Sequence, residues 1–284
     1  MGGHSFSHWV SDDPAVRGKP RPWLEELLAV DMPKARIMTY GYISDGINYR
    51  YVVRNIVYGR ALDLARSLAY RRNKDGCAHS RPLFFIAHSL GGWIVKRALI
   101  ISGEAADPEL RDLELSTCGV AFFGTVSPGR PSSPEPLARV FRRTTTGSCD
   151  DWSPSGRRSG SADNDANMQP EDSELEWLTS QMEAFKAISP DLPRLSFYET
   201  KKSEDEFIVE KRHSIAGLDG SQIGLKATHQ DLVRFKGRDE NYKTFIDNFR
   251  QMVDDARSSE LMQSKRKIYD MSTGENTRID MQGR

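Results

Sequence analysis

The chain has no excess of charge of either sign: its 284 residues carry 40 Lys and Arg against 40 Asp and Glu, a formal net charge of zero. A neutral protein gains neither counterion release from a nucleic acid nor long-range attraction to an anionic membrane, so nucleic acid is not an expected partner. Cysteine is scarce. Cys77, Cys118 and Cys149 are odd in number, far apart and not at zinc-ligand or C-x-x-C spacing, which points to a reducing, cytoplasmic compartment and no disulfide framework. The reading calls for no metal and no cofactor. No apolar run reaches the roughly 18 residues of a membrane-spanning helix. The opening Met1-Gly2-Gly3-His4-Ser5-Phe6 lacks the basic and apolar regions of a secretory signal, and Phe6 stands where myristoylation requires Ser or Thr. Leu, Ile, Val and Phe are all missing between Arg142 and Pro170, so that stretch cannot bury enough apolar area to offset its ordering entropy and is expected to be a mobile insertion.

Elsewhere apolar residues recur with clear periods. Trp23, Leu24, Leu27 and Leu28 share one helical face, and Pro33 closes that helix. Ala35 to Tyr42 reads as a short strand, and Ile56 to Tyr70 as an amphipathic helix. Pro82 to Ala87 is continuously apolar and too short for a buried helix, which suits a parallel strand covered on both faces. Helical spacing resumes over Gly91 to Ser102, and Cys118 to Phe123 is a second apolar strand. Strand, helix, strand, helix, strand predicts an α/β fold with a parallel sheet. Beyond the insertion, Ser173 to Ala187 predicts a helix, Leu195 to Glu199 and Ile223 to Ala227 the last two strands, and Tyr242 to Ala256 a closing helix. The charged tail from Arg257 reads as a solvated linker or the start of a further segment.

The segment Ala87-His88-Ser89-Leu90-Gly91 is where chemistry is expected. A Ser on a sharp strand-to-helix turn presents its hydroxyl above the carboxyl edge of the sheet, and the turn calls for small residues two before and two after it, here Ala87 and Gly91. The same residues also fit a Gly-rich loop that opens a helix and cradles a phosphate. A serine nucleophile needs a base, and in this arrangement the acid and the histidine follow it in the chain. Only His213 and His229 do so. His229 comes directly after the last predicted strand, whereas His213 lies in the charged run Glu210-Lys211-Arg212 and reads as a solvated loop residue; an ordinary helix-start histidine is the alternative for His229. For the orienting carboxylate, Glu199 closes a strand and projects from the same sheet edge, with Asp205 and Glu210 as rivals on the next loop. The backbone N–H of Leu90 would be one oxyanion donor. Phe123, Trp93 and Tyr42 are candidates for an acyl pocket, or plain core.

Several separated motifs, Gly2-Gly3-His4-Ser5-Phe6-Ser7-His8-Trp9, the Ala35–Tyr42 stretch, Phe85-Ile-Ala-His-Ser-Leu-Gly-Gly92, Ala121-Phe-Phe-Gly-Thr125, Phe197-Tyr-Glu-Thr200 and Thr228-His229 with Phe235, together resemble the α/β-hydrolase domain of fungal proteins similar to the serine active site-containing, lipase-like family, and more distantly GPI inositol-deacylases. The resemblance runs over about residues 1 to 250. It implies an α/β-hydrolase fold, a mostly parallel sheet with helices on both faces, and a lid-like insertion over residues 126–172, followed by a helix end and tail over 251–284. It also implies a serine hydrolase with Ser89 as nucleophile, His229 as base and Glu199 as acid, acting on a small-molecule or lipid ester, with Gly2 near the second oxyanion donor. By resemblance the setting is a larger NLR-like or ankyrin/TPR protein, with peripheral contact to a mitochondrial or ER membrane. Two departures stand out. Only Gly2-Gly3-His4 remains of the family's first strand and His-Gly-Leu-Gly-Gly-His, and Gly124-Thr-Val-Ser-Pro-Gly129 replaces Gly-Thr-Pro-His-Arg-Gly. They support two other readings: a catalytically silent hydrolase-like signalling module, or a fragment that does not fold alone.

Overall fold

A computed structural model describes residues 9–10, 22–42, 53–74, 81–127, 172–203, 206–215 and 220–258. The elements in chain order are α1 (residues 24–31, a π-helical turn Leu24–Leu28 continued by Ala29–Asp31), α2 (Val53–Lys74), β1 (Leu83–His88), α3 (Leu90–Gly103), α4 (Pro108–Ser116), β2 (Thr117–Phe123), α5 (Asp172–Ile188), β3 (Arg194–Glu199), α6 (Lys211–Ile215), β4 (Ser221–Leu225) and α7 (Glu240–Ser258).

The four strands form one all-parallel sheet in the order β1-β2-β3-β4. Because a strand's side chains alternate between faces, β2 feeds two cores. Val120 and Phe122 join α2, α3, α4 and α5 on one side, while Ala121 and Phe123 join α1, α7 and Leu195 and Phe197 of β3 on the other. The fold is therefore α/β with helices around a parallel sheet, consistent with an α/β-hydrolase-like fold. A sheet of this kind brings every strand's carboxyl end to the same rim.

Local signals explain the elements. In α2, Val57, Ala61, Leu64, Ala65 and Leu68 follow helical spacing and are buried. The Asp239 carboxylate accepts from the Tyr242 N–H at 2.8 Å and caps α7, whose inward stripe is Tyr242, Phe245, Ile246, Phe249, Met252 and Val253. Helix α4, which the apolar spacing did not reveal, begins with Asp107 accepting from Glu109 N at 3.0 Å and Pro108 in the first turn. That is a start signal in its own right.

Two sequence expectations are corrected. Residues 35–42 form no strand: a strand needs a neighbour for its N–H and C=O groups, and among the described residues β1 pairs with β2 alone. Instead Tyr40 and Tyr42 pack on one core and Ile37 on the other. His213 lies in the short α6 and is half-buried, and its carbonyl accepts from Ser127 N at 2.7 Å. Of the expected insertion, Val126 and Ser127 are buried and residue 172 opens α5; residues 128–171 lie outside the described residues, as do Gly2, Asp205 and the tail from residue 259. No described helix is long and apolar enough to cross a membrane.

Candidate active site

The rim is assembled in chain order. Ser89 follows β1, Gly124 and Thr125 follow β2, Glu199 ends β3, and His229 stands four residues past β4. Ser89 has φ 51° and ψ −121°, and among the described residues it alone combines a side chain with positive φ. Such a conformation costs about 1–3 kcal/mol and persists only where the surroundings enforce it. Here Ser89 N–H donates to Phe123 O at 2.9 Å, and Ser89 O accepts from Gly92 N and from Thr125 Oγ1, each at 3.1 Å. The turn is thus clamped to β2 and to the residues after it.

The steric demand of this turn falls elsewhere than the sequence suggested. A Cβ on Gly91 would meet nothing within 4 Å, whereas one on Gly92 would lie 2.2 Å from Thr125 Oγ1. Gly92, not Gly91, is the residue whose smallness the elbow requires. Gly124, at φ 53°, plays a similar part beneath the histidine, since a Cβ there would sit 2.8 Å from His229 Cε1. Leu90 opens α3, so its N–H has no intrahelical acceptor and lies at the positive end of the helix dipole.

Ser89, Glu199 and His229 are all buried. His229 Nε2 is 3.1 Å from Ser89 Oγ across 140 residues of chain. With the ring proton on Nδ1, Nε2 accepts from the hydroxyl. On the other side of the ring, Nδ1 is 3.9 Å from Glu199 Oε1, close enough for an ion pair and too long for a hydrogen bond. Glu199 Oε1 also accepts from the Val209 N–H, an anchor that sequence reading could not supply because it comes from main chain ten residues away. Glu210 faces Arg212 at 2.8 Å on the surface instead. The structure therefore brings Ser89, His229 and Glu199 together, and leaves Glu210 outside.

A groove of about 1240 Å³ runs beside β1 to Ser89 and His229. Leu24, Leu28, Leu68, Ile86 and Phe249 supply apolar lining, and residues 33–42 form part of its wall. Tyr42 lines it too, whereas Phe123 and Trp93 are core.

No protein-family model matches the chain, and no solved structure matches it. It is similar to Protein SERAC1 of Danio rerio, with 31% identity over 134 residues. That match covers 43% of this chain and 20% of the relative, so the chain spans about a fifth of the length of the curated relative it matches.

Proposed function

We propose that the chain is a serine hydrolase that cleaves an acyl ester through Ser89, His229 and Glu199. The observation that carries this reading is the 3.1 Å contact of His229 Nε2 with the hydroxyl of a serine held in a strained strand-to-helix turn. As Ser89 Oγ attacks the ester carbonyl carbon, its proton passes to His229 Nε2 and the carbonyl oxygen becomes an oxyanion. The Leu90 N–H donates to that oxyanion. The tetrahedral species collapses by breaking the bond to the alcohol, which leaves with the proton from Nε2, and the acyl group stays on Ser89. His229 then takes a proton from water, the hydroxide attacks the acyl carbon, and Ser89 Oγ departs with the proton restored.

Glu199 orients the imidazole without itself accepting the proton. It favours the tautomer with the proton on Nδ1 and stabilises the imidazolium, and the 3.9 Å separation contracts as charge develops on the ring, since catalytic hydrogen bonds are commonly long before substrate binds. The apolar lining of the groove supports a lipid-like acyl chain as substrate.

Turnover of a p-nitrophenyl ester by purified variants tests the reading. Ser89→Ala and His229→Ala each lower kcat by at least about 10³-fold, and Glu199→Gln by about 10- to 100-fold less than either, because removing the acid leaves nucleophile and base in place. Hydrolysis by folded Ser89→Ala at the parent rate contradicts it.

A further inference from the structure

His88, the last residue of β1, precedes the proposed nucleophile and has no part in the proton transfers above. Its Nε2 lies 2.9 Å from the main-chain carbonyl oxygen of His229. A carbonyl only accepts, so Nε2 of His88 carries the proton and donates it. The two imidazole rings lie 5.0 Å apart, centroid to centroid, and are tilted by 39°.

The sheet order makes this bond consequential. β1 and β4 are opposite edges of the sheet, separated by three strand spacings, or roughly 14 Å. His229 leaves β4, whose Ser221, Gln222 and Gly224 are exposed, and must reach back over β3 and β2 to meet Ser89. It is carried by a single 3-10 turn, Gln230–Val233. Such a turn has few internal hydrogen bonds to hold its position, so its place depends on tethers from outside. Leu232 and Val233 pack into the aromatic core, and at the far end of the turn the Trp23 Nε1–H donates to Val233 O at 2.8 Å. At the end that carries the imidazole, His88 donates to the carbonyl of His229.

We propose that His88 is a positioning residue: its Nε2–H, bound to the carbonyl of His229, holds the turn where the His229 ring meets Ser89 Oγ. The proposal rests on the hydrolase reading. The tether acts on the backbone of the base, so its loss misplaces the ring without removing a catalytic group, and a displacement of about 1 Å lowers rate by up to about 10²-fold.

The test compares His88→Phe, which keeps a ring and loses the donor, with His88→Gln, which loses the ring and keeps an N–H near the Nε2 position. Three readouts apply to the full chain: kcat and KM for p-nitrophenyl butyrate, the rate of labelling by a fluorophosphonate, and Tm. His88→Phe lowers kcat and the labelling rate by about 10- to 100-fold with KM within about threefold of the parent, and His88→Gln restores both to within about threefold. A merely structural role would lower Tm in step with rate and would not be rescued by the donor. If His88→Phe does not fold, His88→Met, close in shape to Gln and without a donor, replaces it in the comparison. Ser89-dependent labelling at the parent rate in the donorless variant, or equal rates for the donorless and Gln variants, overturns the tether and leaves the hydrolase reading standing. Labelling of the parent that persists in Ser89→Ala overturns both.

Discussion

The two cores on either side of the sheet are built from different materials. On the α1–α7 side, Trp23, Phe123, Phe197, Phe235, Tyr242, Phe245 and Phe249 interlock, with Trp23 and Phe235 at 4.8 Å edge to face and Phe123 and Phe197 stacked at 4.5 Å. On the α2–α5 side the residues are mostly aliphatic, and charge is buried among them. Arg72 binds Asp112 at 3.0 Å and Ser116 at 2.7 Å, and Lys96 is fully buried between the Trp93 and Phe122 rings, its Nζ 3.2 Å from Met182 Sδ. Each core delivers one half of the site. The aliphatic one carries α3 and hence the serine turn; the aromatic one holds the turn after His229 through Leu232, Val233 and the Trp23 indole. Rigid rings suit the longer reach, since His229 stands farther from its own strand than Ser89 does.

Removing the centre of the aromatic core should do the most damage. Phe245→Ala is expected to lower stability by about 3–5 kcal/mol, read from chemical denaturation, and a loss under about 1 kcal/mol would show that the rings do not act as one core. The aliphatic core should respond with the opposite sign at its buried charge. Burial first, then the Arg194 and Lys186 charges, push the Lys96 ammonium down to about 7. Between about pH 7 and the ordinary lysine value of about 10.4, the unfolded chain then holds a proton that the folded chain has lost, so stability rises with pH across that window. Lys96→Met is expected to stabilise the protein by about 1–4 kcal/mol at pH 7 and to remove the rise; an unchanged pH slope contradicts the assignment. Smaller effects separate the two glycines of the elbow. Gly92→Ala is expected to cost about 1–3 kcal/mol as Thr125 is forced off Ser89 O, with esterase activity falling too. Gly91→Ala should gain up to about 1 kcal/mol from helix propensity; equal responses would mean that Thr125 does not set the turn.

Much of this was legible because it is local. The apolar run Leu83–Ala87, the Ser89 turn and the periodicity of α3 are neighbours in the chain, and run length, small residues around a serine and helical period identify them in turn. Residues 35–42 misled for the complementary reason: their composition suits a strand, but strand formation depends on a partner that sequence does not display. The start signal of α4, Asp107-Pro108-Glu109, was present and was masked by the few apolar residues that follow it. Position in the chain singled out His229 over His213, yet the choice among Glu199, Asp205 and Glu210 stayed open, since each could reach the rim. The Val209 amide on Glu199, the His88 bond to the His229 carbonyl and the demand on Gly92 depend on contacts between distant segments. Buried Lys96 and Arg72 had no sequence signal at all, because charged residues at helical spacing read as solvated faces.

The central claim is that Ser89 and His229 act as nucleophile and base, and intact-mass spectrometry after fluorophosphonate treatment tests it most directly. The account predicts one adduct per folded chain, mapped to Ser89, lost in Ser89→Ala and formed at least about 10²-fold more slowly in His229→Ala. A chain that melts cooperatively yet takes up no adduct, or takes it up at another residue, would contradict the account.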